Sequence, residues 1–333
     1  MPIFLLSLLL LFSCSNKKNF EEGESNMCTQ SIVYGQNDLT NVNEAASSMQ
    51  EVSASVAGMV QRSRIMKDMK AGSATGDPIN NRYRVYTSPI EHFAKSRNSL
   101  PMCQNQISNL GAAVNCTGFL VGKDLLLTAG HCLSKSNRIE STTYKCRTYE
   151  WIFGLEKEES FRDYDGLYIR DENRFKCREV IAFQNSGTSD YALIRLDREV
   201  SGRRALKLTS SANLKLNDPI YTIGFPYGSP MKVTPNGKYV SSVSSSDFFN
   251  TKIDTFPSFS GAPILNQRTN EVVGIHVNGL TNPLEDVGGC MDFSRRCENE
   301  NDCGESQAQS IEKIQSLSGR FQTSSLSNDS SCN

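Results

Sequence analysis

Three histidines offer the side chain best suited to moving protons near neutral pH: His92, His131 and His276. His131 follows the apolar run at residues 125–129 after a single glycine, Gly130, so it lies at the end of a predicted strand. A side chain at a strand end can enter a cleft while the sheet fixes its backbone. His131 is therefore the candidate for a general base that activates a nucleophile.

Two cysteines flank the predicted hairpin that carries His131. Cys116 lies in its first apolar run, at residues 115–122, and Cys132 follows His131 directly. A disulfide between them would pin the two strands and fix the loop that bears His131. Closing a loop of this size stabilises a fold by ~3 kcal/mol in the chain-entropy model.

An aspartate and a serine complete a possible catalytic set. Asp190 opens the apolar run 191–196, where its carboxylate would be buried and would need a partner such as an imidazole N–H. Ser260 lies in the segment Phe-Ser-Gly-Ala-Pro at 259–263, directly before the apolar residues 264–265. A serine nucleophile, a histidine base and an orienting aspartate form the triad of acyl transfer. The order His, Asp, Ser, with strands between, predicts such a site.

The segments around these residues resemble those of trypsin-like serine proteases. Residues 116–122 and 127–132 are similar to the family's histidine segment, 190–196 to its aspartate segment, and 260–263 to its serine segment. With residues 31–38, 220–226 and 254–279 included, the resemblance is closest to the glutamyl-endopeptidase (V8-like) branch. It implies an all-β fold of two antiparallel six-stranded β-barrels, chymotrypsin-like, with His131, Asp190 and Ser260 in the cleft between them. No cofactor is expected.

The same resemblance assigns the oxyanion hole to the backbone N–H groups of Ser258 and Ser260. The family has glycine at the first of these positions, because the backbone there often adopts a conformation that is costly for other residues. Ser258 departs from that pattern. Loss of one such donor lowers the rate by about 10²- to 10³-fold. With Ser258 at this position, two interpretations stay open: an oxyanion hole with both donors, and one that has lost a donor.

Substrate preference is also open between two readings. Thr255 and His276 match positions that bind a P1 glutamate in the V8-like branch. Asp254 lies six residues before Ser260, where trypsin-like enzymes keep the acidic residue that attracts Arg and Lys. The first pair favours an acidic P1 side chain and Asp254 favours a basic one.

The balance of charges bears on the partners of the protein, and the N-terminal segment bears on its location. Lys and Arg total 35 against 36 Asp and Glu, without a basic stripe, so no nucleic-acid partner is expected. Residues 3–12 are apolar but too few to span a bilayer, and residues 1–14 resemble a lipoprotein signal peptide ending at Cys14. A lipid on Cys14 would be the only membrane attachment. The alternative is an ordinary signal peptide cut nearby.

If the protein is exported, the pairing state of the remaining cysteines can be predicted. In an oxidising compartment an even set of cysteines indicates disulfides, and no Cys-x-x-Cys pair suggests a metal site. The expected location is the bacterial outer membrane as a lipoprotein, or the periplasm, or outside the cell after processing.

The domain limits follow from the distribution of strands. Residues 15–30 form a polar tether or propeptide, and residues 31–285 a peptidase domain with one helix within 43–72. Barrel one is expected at about 100–200 and barrel two at about 205–285. Residues 286–333 are a Cys- and Ser-rich tail.

The sequence therefore predicts a monomeric serine endopeptidase that hydrolyses protein or peptide substrates through an acyl-enzyme. The alternative, which Ser258 favours, is a catalytically impaired surface lipoprotein that uses a protease fold as a binding module.

Overall fold

The structure is a computed structural model. It describes residues 33–34, 37–68, 81–90, 100–104, 107–157, 161, 167–279, 285–286, 288–292, 296–297, 304–312 and 314. The expected signal peptide at 1–14, Cys14, the tether at 15–30 and His92 lie outside these residues.

Six antiparallel strands close into a first barrel, in the order β4-β5-β6-β3-β2-β1. Their bounds are Val56–Gln61 (β1), Val114–Leu120 (β2), Leu125–Thr128 (β3), Tyr149–Phe153 (β4), Arg174–Ser186 (β5) and Ser189–Leu196 (β6). Closure leaves no free strand edge within this ring.

Trp151 of β4 is the chain's only tryptophan and is fully buried in the core of this barrel. It packs against Gly118 of β2, where an added Cβ would lie 2.7 Å from the indole ring and 2.6 Å from Leu126. A glycine is therefore required at this position for the large ring to reach the centre of the barrel.

A second ring of six antiparallel strands follows, in the order β7-β10-β11-β12-β9-β8, and the pairing of β8 with β7 closes it. The bounds are Pro219–Gly224 (β7), Lys232–Ser242 (β8), Phe248–Lys252 (β9), Pro263–Asn266 (β10), Val272–Asn278 (β11) and Ser306–Ser310 (β12). Its core holds Ile220, Phe249, Ile264 and Val273, all nearly inaccessible.

Smaller elements surround the barrels. The two described α-helices are Ser47–Ser53 (α1) and Thr143–Thr148 (α2), and neither is long and apolar enough to cross a membrane. Thr40–Asn41 adds to the edge of β8. The remaining short strands are Val33–Tyr34, Ile65–Lys67, Arg82–Val85, Ser88–Pro89, Gly111–Ala112, Leu167–Arg170, Glu285–Asp286, Met291–Asp292 and Arg296–Cys297.

Three disulfides link described residues: Cys103–Cys290, Cys116–Cys132 and Cys146–Cys177. The first joins chain segments that are 187 residues apart, and the third ties α2 to β5.

The predicted fold class, two antiparallel six-stranded barrels of the chymotrypsin type, is confirmed. The expected domain limits differ from the structure at two strands. β1 belongs to barrel one although it precedes residue 100, in a region where only a helix was expected. β12 belongs to barrel two although it lies within the expected tail. β12 reads Ser-Gln-Ala-Gln-Ser and lacks the apolar pattern of a buried strand. β1 reads Val-Ala-Gly-Met-Val-Gln, an apolar run inside a region whose content of Ala, Ser, Met and Lys favours a helix.

Candidate active site

His131 is placed by the end of a fully buried strand. All four residues of β3 are buried, and the chain then turns through a 3-10 segment at Gly130–Cys132. A Cβ on Gly130 would lie 1.9 Å from the carbonyl oxygen of Gln184 in β5. Only glycine allows this close approach, which brings His131 next to the start of β6.

Asp190 reaches His131 because of the register between β3 and β6. These strands are antiparallel, with Ala192 opposite Thr128. Two residues towards the start of β6, the same register brings Asp190 opposite Gly130, beside the histidine. The aspartate side chain is 12% exposed and the histidine side chain is 32% exposed.

The contact between the two side chains uses both carboxylate oxygens of Asp190. Oδ1 accepts the backbone N–H of His131 at 2.9 Å, and Oδ2 lies 2.6 Å from Nδ1 of the imidazole. The bond to Nδ1 favours the tautomer that carries its proton there and leaves Nε2 as the acceptor. Asp190 thus fixes both the position and the tautomer of His131.

Ser260 belongs to a loop of barrel two that lies against barrel one. The loop turns through hydrogen bonds from Phe259 N to Phe256 O at 3.0 Å and from Ala262 N to Phe259 O at 2.7 Å. The carbonyl of Ser260 accepts the N–H of Thr117 in β2 at 2.8 Å and lies 3.5 Å from Sγ of Cys132. Ser260 is therefore held beside the segment that carries His131.

Gly261 makes this contact between the loop and the first barrel possible. Its φ is +88°, and an added Cβ would lie 2.1 Å from the carbonyl oxygen of Thr117 and 2.2 Å from Oγ1 of Thr128. Both the positive φ and the lack of space require glycine after Ser260.

Ser258 has a left-handed backbone, with φ of +73°. Its carbonyl accepts the hydroxyl of Thr117 at 2.8 Å. On the other side, the carbonyl of Pro257 accepts the N–H of Tyr227 at 2.7 Å. In a trans peptide the C=O and N–H point in opposite directions, so this bond directs the N–H of Ser258 away from Tyr227.

The N–H groups of Ser258 and Ser260 have no hydrogen-bond partner among the residues that the structure describes. An N–H without a partner can donate to a ligand. Both groups predicted to form an oxyanion hole are thus unoccupied by other parts of the described chain.

His276 lies in β11 behind the site. It is 3% exposed, and its Nδ1 finds no partner in the described structure. Burial, followed by the nearby charge of His131, lowers the pKa of His276 to about 3, against an opposite effect of Asp190. The ring is therefore neutral at any working pH.

Asp254 and Thr255 are also buried. The carboxylate of Asp254 accepts the N–H of Tyr34 at 2.7 Å and the N–H of Asp38 at 3.1 Å. Burial raises the pKa of Asp254 to about 7, although these two bonds lower it. Thr255 Oγ1 lies 3.5 Å from Oγ of Ser306 in β12. Asp254 therefore anchors the N-terminal segment of the described chain.

The Cys116–Cys132 bridge joins β2 to the residue after His131, as the hairpin interpretation required. His131 and these two sulfurs lie within 4.8 Å of one another. Because the sulfurs are bonded to each other, this group supplies no thiolate to a metal ion.

Two residues that the sequence did not single out contact the site. Thr117 holds the carbonyls of both Ser258 and Ser260. Gln309 of β12 accepts the backbone N–H of Asp190 at 2.7 Å. Thr117 stands beside Cys116 in a recognised motif, whereas nothing in the polar sequence around Gln309 indicates a buried role.

One family model of known proteins matches part of the chain. Residues 116–275 match the family model of the trypsin-like peptidase domain. That segment contains His131, Asp190 and Ser260. No curated protein matches the chain.

Solved structures of proteases are similar to this chain at low identity. The VesB protease of Vibrio cholerae is 14% identical with a TM-score of 0.45, and the alignment covers 84% of this chain and 65% of that one. The active form of the Rv3671c protease of M. tuberculosis is 12% identical with a TM-score of 0.44, covering 90% of this chain and 92% of that one. Its inactive form is 11% identical, with a TM-score of 0.42 and coverages of 82% and 92%.

The chain thus has a fold of two six-stranded barrels, and residues 116–275 of it match the trypsin-like peptidase domain. None of these comparisons identifies the V8-like branch, so that finer assignment stays a prediction.

Proposed function

We propose that the protein is a serine endopeptidase in which Ser260 is the nucleophile, His131 the general base and Asp190 the residue that orients the base. The observation that carries this proposal is the double contact of Asp190 with the backbone N–H and Nδ1 of His131. A buried aspartate that binds both the backbone N–H and Nδ1 of a half-buried histidine leaves Nε2 free for proton transfer.

The reaction would proceed in two halves. Ser260 Oγ attacks the carbonyl carbon of the scissile peptide while His131 Nε2 takes the hydroxyl proton. The tetrahedral intermediate collapses, the C–N bond breaks, and His131 returns the proton to the leaving amine. Water then attacks the carbonyl carbon of the acyl-enzyme while His131 Nε2 takes a proton from it. The ester bond breaks, His131 returns the proton to Ser260 Oγ, and the acid product is released.

The negative charge on the oxygen of the intermediate needs donors that are already in place. The N–H groups of Ser258 and Ser260 meet this need, since neither is used by another described group. The bonds from Tyr227 to Pro257 and from Thr117 to Ser258 hold both sides of this backbone. Preformed donors of this kind stabilise the transition state without reorganisation.

A fluorophosphonate probe tests the proposal. The probe transfers its phosphonyl group to an activated serine, displacing fluoride. The full chain should be labelled on Ser260, and Ser260→Ala and His131→Ala should each abolish labelling. Ser246→Ala is the matched control, because this serine lies in a turn outside the site. Labelling that survives Ser260→Ala would mean that the nucleophile is misassigned.

The binding-module alternative rests on Ser258 in place of glycine. It predicts a folded chain that the probe does not label and that cleaves no member of a broad peptide library. The free N–H of Ser258 supports the endopeptidase instead.

We also propose that the protein is exported, with a lipid on Cys14 as its membrane anchor. The disulfides between described residues support an oxidising compartment, since such bonds are rare in the cytosol. Cys14→Ser should move the protein from the membrane fraction to the soluble fraction. Unchanged partitioning would contradict lipidation.

A further inference from the structure

Gln309 lies on β12, the strand that closes barrel two between β9 and β11. Its backbone is paired with Phe248 on one side and Ile275 on the other, and the residue is fully buried. Burying a side-chain amide is unfavourable unless its polar atoms are bonded. The hydrogen-bond partners of this amide therefore indicate the role of Gln309.

The amide of Gln309 is bonded at both ends. Its Nε2 donates to the carbonyls of Asp247 at 3.3 Å and Ser310 at 3.0 Å. Its Oε1 accepts the N–H of Asp190 at 2.7 Å and the hydroxyl of Ser189 at 3.2 Å. Both Nε2 bonds go to backbone carbonyls, so the side chain is fixed and Oε1 always faces β6.

These bonds join the two barrels directly behind the candidate site. Gln309 and Asp247 belong to barrel two and its loops, whereas Ser189 and Asp190 open β6 of barrel one. A second bond, from Asp247 N to the carbonyl of Thr188 at 2.8 Å, joins the same segments. Ser189 and Asp190, the first two residues of β6, are therefore held by residues outside their own barrel.

We propose that Gln309 is a positioning residue for catalysis: it fixes the backbone of Asp190 and thereby the imidazole of His131. This inference rests on the proposed function of the site. The chain of contacts runs from Gln309 Oε1 to Asp190 N, and from the Asp190 carboxylate to the N–H and Nδ1 of His131.

Gln309→Met tests the inference because methionine keeps the length and volume of the side chain but bonds neither Asp190 nor Asp247. We expect kcat for peptide hydrolysis to fall by about 10²-fold with little change in KM, the size of effect that a small misplacement of a catalytic group produces. Gln307→Met is the matched control. It makes the same change two residues away, at a partly exposed position of the same strand, and should alter neither constant.

A second readout does not depend on catalysis. The proton between His131 Nδ1 and Asp190 should give a far-downfield proton NMR signal in the full chain, assigned by its loss in Asp190→Asn. In Gln309→Met this signal should shift or broaden, while the remaining amide spectrum stays that of a folded protein. If wild type fails to label with fluorophosphonate, the proposed function fails, and this signal still decides whether Gln309 positions the pair.

Gln309→Glu covers the case in which the methionine variant does not fold. Burial favours the protonated acid, which can accept from Asp190 N and donate to one of the carbonyls. This variant should retain the proton signal and most of kcat. An unchanged signal and unchanged kcat in Gln309→Met would overturn the inference, as would a folded Gln309→Glu variant that loses both.

Discussion

The hydroxyl of Thr117 donates to the carbonyl oxygen of Ser258 at 2.8 Å, and the backbone N–H of the same threonine donates to the carbonyl of Ser260 at 2.8 Å. One residue of barrel one therefore holds both residues whose N–H groups would form the oxyanion hole. The loop from barrel two adopts its conformation on a surface that barrel one supplies.

Ser258→Gly should stabilise the protein slightly and change the rate little. Relief of the left-handed conformation contributes ~1–2 kcal/mol, and the greater freedom of glycine in the unfolded chain offsets ~0.5–1 kcal/mol of it. Urea denaturation should show the gain, and Ser258→Ala, which keeps the strain, should show none. A rise in rate of about 10²-fold would mean instead that Ser258 normally turns its N–H away.

Thr117→Val should lower both stability and rate. The change keeps the shape of the side chain but leaves the partly buried carbonyl of Ser258 without its donor, a loss of ~1–3 kcal/mol. Thr142→Val is the control, because Thr142 is equally buried and donates to a carbonyl, that of Ile139 at 2.6 Å, away from the site. It should lose stability but keep kcat. Equal effects of both variants on kcat would contradict a special role for Thr117.

Asp190→Asn should reduce kcat by about 10⁴-fold without unfolding the protein. The amide oxygen can still accept the backbone N–H of His131, but its NH₂ group would then face Nδ1 and favour the wrong tautomer. Asp197→Asn is the control, since Asp197 follows the other end of β6 and accepts the N–H of Lys176 at 3.0 Å. Steady-state kinetics on a peptide substrate measure both. A loss of less than tenfold would argue that Asp190 does not orient the base.

Asp254 should make the protein less stable as the pH rises. Its pKa in the folded chain, about 7, lies above its ordinary value of 3.8, so the native state binds the proton more tightly than the unfolded state. The stabilisation is complete below about pH 4 and is lost as the pH rises through 7, at ~1.4 kcal/mol for each pKa unit. Asp254→Asn should remove this dependence, as urea denaturation between pH 4 and pH 8 can measure.

Asp218→Asn provides a control of opposite sign, because the bond from Lys215 N lowers the pKa of Asp218. If Asp254→Asn and wild type keep the same difference in stability at every pH, Asp254 does not titrate as described.

Asp254→Asn should also leave the P1 preference unchanged, since both oxygens of Asp254 are bonded to the backbone rather than offered to a substrate.

Sequence reasoning identified the parts of the fold whose local pattern carries a strong signal. The run before His131 and the run after Asp190 are both strongly apolar, and each became a buried strand with the candidate residue at its end. β12, in contrast, reads Ser-Gln-Ala-Gln-Ser and is buried by its neighbours, not by its own apolar residues. Its place in the barrel and the role of Gln309 depend on contacts distant in sequence, which no local pattern reports.

The late position of β12 in the chain has a consequence for biosynthesis. A chain emerging in N-to-C order presents β9 and β11 as open edges until residues 306–310 appear. The hydrogen bond from Asp190 N to Gln309 cannot form until Gln309 has been synthesised, 119 residues after Asp190. Under the role proposed for Gln309, a partly made chain would hold an aspartate that is not yet fixed. The candidate site would then become competent only after residues 306–310 have left the ribosome.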